Sequence, residues 1–173
     1  SITITEKRLE SVSFAQPYYD SDQSLTATAA SGITSLDDLK GKTIGVDTGS
    51  TGDIYAQENA EKYGFASISR YEGLAPAMLD LQAGRIEGYI SDIPALQYYT
   101  KDKPELKVVQ RIETGEKYSI MFAKDAELLT KVNDVLTTLK NEGFIAGLHE
   151  KWFGAKPEDT TSTVMVTDIP MLK

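Results

Sequence analysis

Cysteine is absent from the 173 residues, histidine and tryptophan occur once each, and basic residues are outnumbered 18 to 26. Each shortage closes a class of function. Without thiols the chain has neither disulfides nor thiolate chemistry. One imidazole, His149, with no cysteine beside it, assembles neither a metal cluster nor a Ser/His/Asp triad, and it reads as a surface helix position. A net charge of −8 supplies no basic face for nucleic acid or an anionic membrane. No charge-free apolar run approaches the roughly 20 residues that a membrane span needs. The opening residues, SITITEKRLE, carry none of the features of a signal peptide, so the chain reads either as retained inside or as a processed or truncated piece.

What is present suits one medium domain or two small lobes, with 40% hydrophobic and 25% charged residues. VSFAQPYY (12–19) and SLTATAA (24–30) read as strands interrupted by a polar DSDQ turn. In SLDDLKG (35–41), Ser35 and Asp38 form a capping box and Gly41 a stop. KTIGV (42–46) is a buried strand, followed by a turn rich in Gly, Ser and Thr and a helix over 52–63 that stops at Gly64. SISRYE (67–72), a helix over 74–85, IEGYISD (86–92) and a helix over 93–102 continue the alternation. LKVVQRI (106–112) and KYSIMFA (117–123) are two more strands. Strands alternating with short helices predict a mostly parallel sheet flanked by helices, an α/β fold.

Beyond residue 124 the character changes. Leu128, Leu129, Val132, Val135, Leu136 and Leu139 fall at helical spacing on one side. Gly143 ends that helix, and FIAGLHEKWFG is a second one, with Trp152 and Phe153 expected to pack it down. The tail TSTVMVTDIP alternates like an exposed strand or an extended arm.

In open parallel sheets, ligands sit at the carboxyl ends of strands. Two loops qualify. GVDTGSTGDIYA places Gly49, Ser50, Thr51 and Gly52 before a helix; backbone N–H groups and hydroxyls there suit an anion, but no lysine is present to make a phosphate loop. SDIP (91–94) places Asp92 at the tip of the next strand, where a lone carboxylate suits an ammonium. Together they describe the two poles of an α-amino acid. The plainer readings are helix caps for Ser50, Thr51 and Asp92.

The chain resembles the polar amino-acid solute-binding proteins of ABC importers, which have the type II periplasmic binding fold. SITITEKR (1–8) is similar to that family's signature loop, and SLDDLKGKTIGVDTGSTGDIYA (35–56), LQAGRIEGYISD (81–92) and LKNEGFIAGLHEKWFG (139–154) match it in order and spacing. The nearest look is to the lysine/arginine/ornithine and histidine binders. The resemblance implies one complete lobe (23–112), a truncated lobe 1 (1–17 and 118–154), hinge strands (18–22 and 113–117), and a tail (155–173). It implies that Ser1 and Thr3 touch the ligand's α-amino and α-carboxyl groups, that Arg8 pairs bidentately with the carboxylate, that Ser50 and Thr51 donate to the same carboxylate, and that Asp92 accepts from the ammonium. Asp47, where many members have glutamine, lysine or leucine, favours a cationic side chain such as arginine, lysine or ornithine.

By the same resemblance the chain binds without chemistry or cofactor. It acts with an ABC permease in the periplasm or as an extracellular lipoprotein. Family members carry about one more half-lobe before the signature loop. The apolar face of helix 128–139 is therefore expected to be covered by a homodimer partner, an exchanged element or a complementing fragment. Two other functions share the fold. One is a dehydratase of the cyclohexadienyl type, for which Glu87, Glu72 and Asp47 are the candidate acids; the other is the sensory module of a receptor.

Overall fold

The computed structural model describes residues 2–124 and 126–172. In chain order its elements are β1 (Ile2–Thr3), α1 (Glu6–Ser11), β2 (Val12–Phe14), β3 (Tyr19–Thr28), a 3-10 turn at Leu36–Leu39, β4 (Thr43–Asp47), α2 (Thr51–Glu58), α3 (Ala60–Tyr63), β5 (Ser67–Tyr71), α4 (Leu74–Gln82), β6 (Gly88–Asp92), α5 (Ile93–Thr100), β7 (Leu106–Ser119), β8 (Met121–Ala123), α6 (Glu127–Asn141) and α7 (Phe144–Phe153). The chain divides into two compact units, one up to Ser21 and from Gly115 on, the other Asp22–Thr114.

The Asp22–Thr114 unit is built on a sheet whose strands run in the order β5-β4-β6-β3-β7. β4 pairs in parallel with β5 and β6, as the alternation of strands and helices predicts, while β3 joins β6 antiparallel. Side chains alternate across the pleat. Leu25, Ala27, Ile44, Val46 and Ile90 pack on one face with Ala56 of α2 and with Leu36 and Leu39. Tyr89 fills the other face with Ala77, Met78 and Leu81 of α4 and Leu96 of α5. Gly45 must stay bare on that second face, because a Cβ there would stand 2.6 Å from Ile86 Cδ1 and 3.0 Å from Tyr71 Cε2.

Four expectations are corrected. DSDQ is not a turn: β3 runs through it unbroken, because its polar side chains find partners. Asp20 accepts from Lys117 Nζ at 2.7 Å and from the Ser162 N–H at 3.0 Å. Asp22 accepts from Arg111 Nε at 2.6 Å and the Thr114 N–H at 2.9 Å. Residues 106–119 form one strand rather than two segments. The helix expected over 52–63 breaks at Asn59, whose side-chain amide caps back onto the Tyr55 carbonyl at 2.9 Å. Trp152 does not pack its helix down, being 66% exposed.

In the other unit β1 pairs antiparallel with the end of β7, and β2 with β8. Leu136 of α6 is buried, as are Leu9, Phe14 and Tyr118, but Leu128 and Val135 on the same helix remain more than half exposed. Among the described residues the tail forms no strand. It is held by Ser162, which receives Lys117 Nζ, and by Met165, whose carbonyl accepts from Lys140 Nζ at 2.7 Å. Lys140 is buried and also donates to Gln16 Oε1 and the Pro17 carbonyl. Burial pushes its ammonium down to about 8 from the ordinary 10.5.

Between those two values the unfolded chain holds a proton that the folded chain has shed. Stability is therefore expected to rise as the pH climbs from about 8 towards 10.5. Urea midpoints measured across that window should show the rise in the parent, and the Lys140→Met variant should lack that part of it.

Candidate functional site

The turn after β4 is shaped by its own residues. Gly49 adopts a left-handed backbone (φ +68°) that other residues resist. Ser50 caps α2, its Oγ accepting the Asp53 N–H at 3.1 Å, so the cap role is real. A hydroxyl that accepts there still has its own proton to donate. Asp53, only 4% exposed, then fixes the turn from behind. Its carboxylate accepts from the Gly49 N–H at 3.0 Å, Gln57 Nε2 at 2.9 Å and Arg70 through two nitrogens at 2.9 Å each. Burial works to raise its pKa, but the guanidinium, the Gly49 N–H and Gln57 outweigh it and hold the carboxyl below the ordinary range. The helix end they orient presents α2's first N–H groups, the arrangement that attracts anions.

Asp92 stands at the tip of β6 and leads into α5, with Pro94 in the first turn, yet its side chain makes no capping bond to that helix. It faces Gln23 instead. The β3–β6 register sets Gln23 directly opposite Asp92, which places both side chains on one face. Gln23 Nε2 donates to Asp92 Oδ1 at 2.6 Å and to Thr51 Oγ1 at 3.2 Å. One amide nitrogen thus touches both the hydroxyl at the start of α2 and the carboxylate at the tip of β6.

Asp47 leaves β4 on the opposite face from Val46, beside Tyr89, and Ser91 Oγ donates to its Oδ2 at 3.3 Å. Burial first, and then the neighbouring Asp47 carboxylate, push the Tyr89 phenol up. Of the other acids, Glu87 accepts the Thr43 N–H at 2.8 Å, at the end of β4 away from the turn. Glu72 accepts from the Thr48 hydroxyl at 3.2 Å.

In the other unit, Thr5 caps α1 by accepting the Arg8 N–H at 3.2 Å. Arg8 Nη1 donates to the Thr3 carbonyl at 2.7 Å, and the Thr3 hydroxyl donates to Glu116 Oε2 at 2.6 Å. Thr3 and Arg8 are therefore brought together; Ser1 lies outside the described residues.

The structure thus joins Thr51 and Asp92, with Ser50 beside them as the cap, and leaves Asp47 on the other face of the sheet. Gln23, Asp53, Arg70 and Glu116 were missed from the sequence. Only Asp53 carried a local signal, an acid three residues after a Ser cap in the first turn of a helix.

Comparison with known proteins gives the family to which the chain is similar. The bacterial extracellular solute-binding proteins, family 3, match residues 1–155. The arginine-binding extracellular protein ArtP of Bacillus subtilis (strain 168) is 32% identical over 88% of this chain and 60% of its own length. The L-cystine-binding protein TcyJ of Escherichia coli (strain K12) is 30% identical over 89% of this chain and 58% of its own. Among solved structures, the arginine-, lysine-, histidine-binding protein ArtJ from Geobacillus stearothermophilus superposes with a TM-score of 0.79 at 34% identity. That match covers 91% of this chain and 69% of the other. The chain spans about three-fifths of the length of these curated relatives.

The buried Asp53 carboxylate yields a measurable consequence. Its pKa is depressed, so the stability it contributes is complete at neutral pH and is lost as the pH falls through and below the ordinary 3.8. Asp53→Asn should lower stability at pH 7 by about 1–3 kcal/mol. It should also flatten the acid limb of a plot of urea midpoint against pH.

Proposed function

Because the chain belongs to the bacterial extracellular solute-binding proteins, family 3, we propose that it serves ABC import by capturing a polar L-amino acid, with arginine, lysine, ornithine or histidine favoured. Its relatives are solute-binding proteins rather than enzymes, and they differ in solute: one is named for arginine, another for L-cystine. The ligand's carboxylate takes the start of α2, where the hydroxyls of Ser50 and Thr51 add to the N–H groups of the helix end. Its ammonium takes the Asp92 carboxylate, a charge-assisted hydrogen bond.

One observation carries this reading. A single amide nitrogen lies 3.2 Å from the Thr51 hydroxyl and 2.6 Å from the Asp92 carboxylate, so the donor and acceptor are near enough for one small zwitterion to meet both.

We also propose Ser1, Thr3 and Arg8 as ligand contacts, Arg8 as a bidentate partner of a carboxylate. Asp47 lies on the other face of the sheet, so in this proposal it acts through its charge alone, biasing the choice towards a cationic side chain. A ligand held more tightly by one conformation draws the population there, and an ABC permease reads that conformation. The site of action is outside the cytoplasmic membrane, in the periplasm or on an extracellular lipoprotein. Leu128, Val135, Phe144 and Trp152 are exposed apolar side chains, whose cover we assign to a second copy or a complementing fragment.

Calorimetric titration with the twenty amino acids and ornithine tests the ligand. Saturable binding of a basic amino acid is expected, weakened about tenfold to hundredfold by Asp92→Asn. Undiminished binding by that variant, or no binding of any amino acid, overturns the reading. Light scattering tests the second copy: a dimer mass is expected, shifted towards monomer by Val135→Asp, and a monomeric parent would overturn that assignment.

A further inference from the structure

Gln23 is fully buried in β3, in a stretch whose composition reads as a loop. A buried amide needs a reason, since each polar atom taken from water must be repaid by a partner. Here the nitrogen end donates to the Asp92 carboxylate, which has no proton to offer when ionised, and to the Thr51 hydroxyl oxygen. That fixes which way round the amide lies. The oxygen end lies against Gly52 in the first turn of α2, where a Cβ would stand 2.9 Å from Gln23 Oε1 and 3.0 Å from the Ile90 carbonyl. The glycine therefore gives the amide its seat. Behind it, Asp22 ties the same strand to β7 through Arg111 and the Thr114 N–H.

The chemistry at position 23 is selective. A lysine or arginine there would also hold the Asp92 carboxylate, but it would neutralise the charge that an ammonium needs. A glutamate would set two carboxylates side by side and drive one to keep its proton. A leucine or methionine would remove both of these hydrogen bonds. A neutral donor of this length is the choice that orients Asp92 while sparing its charge, and it reaches the hydroxyl of Thr51 with the same nitrogen.

We infer that Gln23 is a positioning residue. It sets the Asp92 carboxylate and the Thr51 hydroxyl in one geometry before a ligand arrives, and it preserves the negative charge of Asp92 for the ligand's ammonium. The inference rests on the amino-acid-binding reading above. Preorganisation of this kind improves affinity by removing an ordering cost from the binding step.

The test uses the full chain, L-arginine as the probe, calorimetric titration from pH 5 to 9, and the variants Gln23→Met and Gln23→Glu. Gln23→Met, similar in length without the donor, should weaken binding about five- to thirtyfold. The melting temperature of the ligand-free protein reports any loss of fold separately. Gln23→Glu should introduce a step in affinity against pH that the parent lacks, because its carboxyl and that of Asp92 share a proton; a purely structural side chain would add no such step. Should Gln23→Met fail to fold, the step in Gln23→Glu decides. Binding by Gln23→Met within twofold of the parent, or a Gln23→Glu profile that parallels the parent, overturns the inference. In that event a large loss in Asp92→Asn still leaves the amino-acid reading standing, whereas an unaffected Asp92→Asn removes both.

Discussion

A neutral amide resting on a carboxylate across one rung of an antiparallel ladder organises the candidate site. The Gln23–Asp92 contact exists because β3 lies beside β6 in a register that opposes those two residues. A one-residue slip would turn every side chain of β3 to the other face and send Leu25 and Ala27 out of the core. The register is therefore held by the same apolar packing that holds the unit together, and the polar contact at the strand tip inherits its precision from the core. Asp53 does the equivalent work for the turn after β4. Its four hydrogen bonds tie Gly49, Gln57 and Arg70 into one cluster beneath the start of α2. Strand register and helix capping, two unrelated local devices, thus converge on one pair of oxygens.

The elements that local chemistry determines were legible in the sequence. The stop at Gly64, the strand Thr43–Asp47, the cap at Ser50 and the strand tip at Asp92 all follow from turn residues and periodicity within a few positions. What depended on neighbours distant in sequence was not. DSDQ looks like a turn by composition, and partners such as Lys117, Arg111 and Asp92, from 69 to 97 positions away in sequence, satisfy its side chains in a strand. Gln23 was invisible for the same reason, since nothing local announces that β3 will pair with β6. Asp47 adjoins the turn in sequence, and the family resemblance implies a ligand role for it. The pleat, which sends successive side chains to opposite faces, carries its carboxylate to Tyr89 and Ser91 instead.

The other unit is assembled on different terms. Its buried set is small, and a lysine with three oxygen partners sits within it. Those partners come from two separate stretches, residues 16–17 and Met165, so a single ammonium fastens the tail to the segment leading into β3. Hydrogen bonding substitutes here for apolar volume. The helix α6 shows what is left over, with Leu136 buried while Leu128 and Val135 face outward.

The bare position at Gly45 has a further consequence, for mutational history. The face of the sheet that receives Tyr89, Tyr71 and Ile86 is arranged around a missing side chain. Volume can enter at 45 only where it has first left at 86 or 89, because a close-packed interior has no slack to lend. These sites are bound to vary in concert: a substitution harmless in one homologue would be ruinous in another that had not yet made room for it.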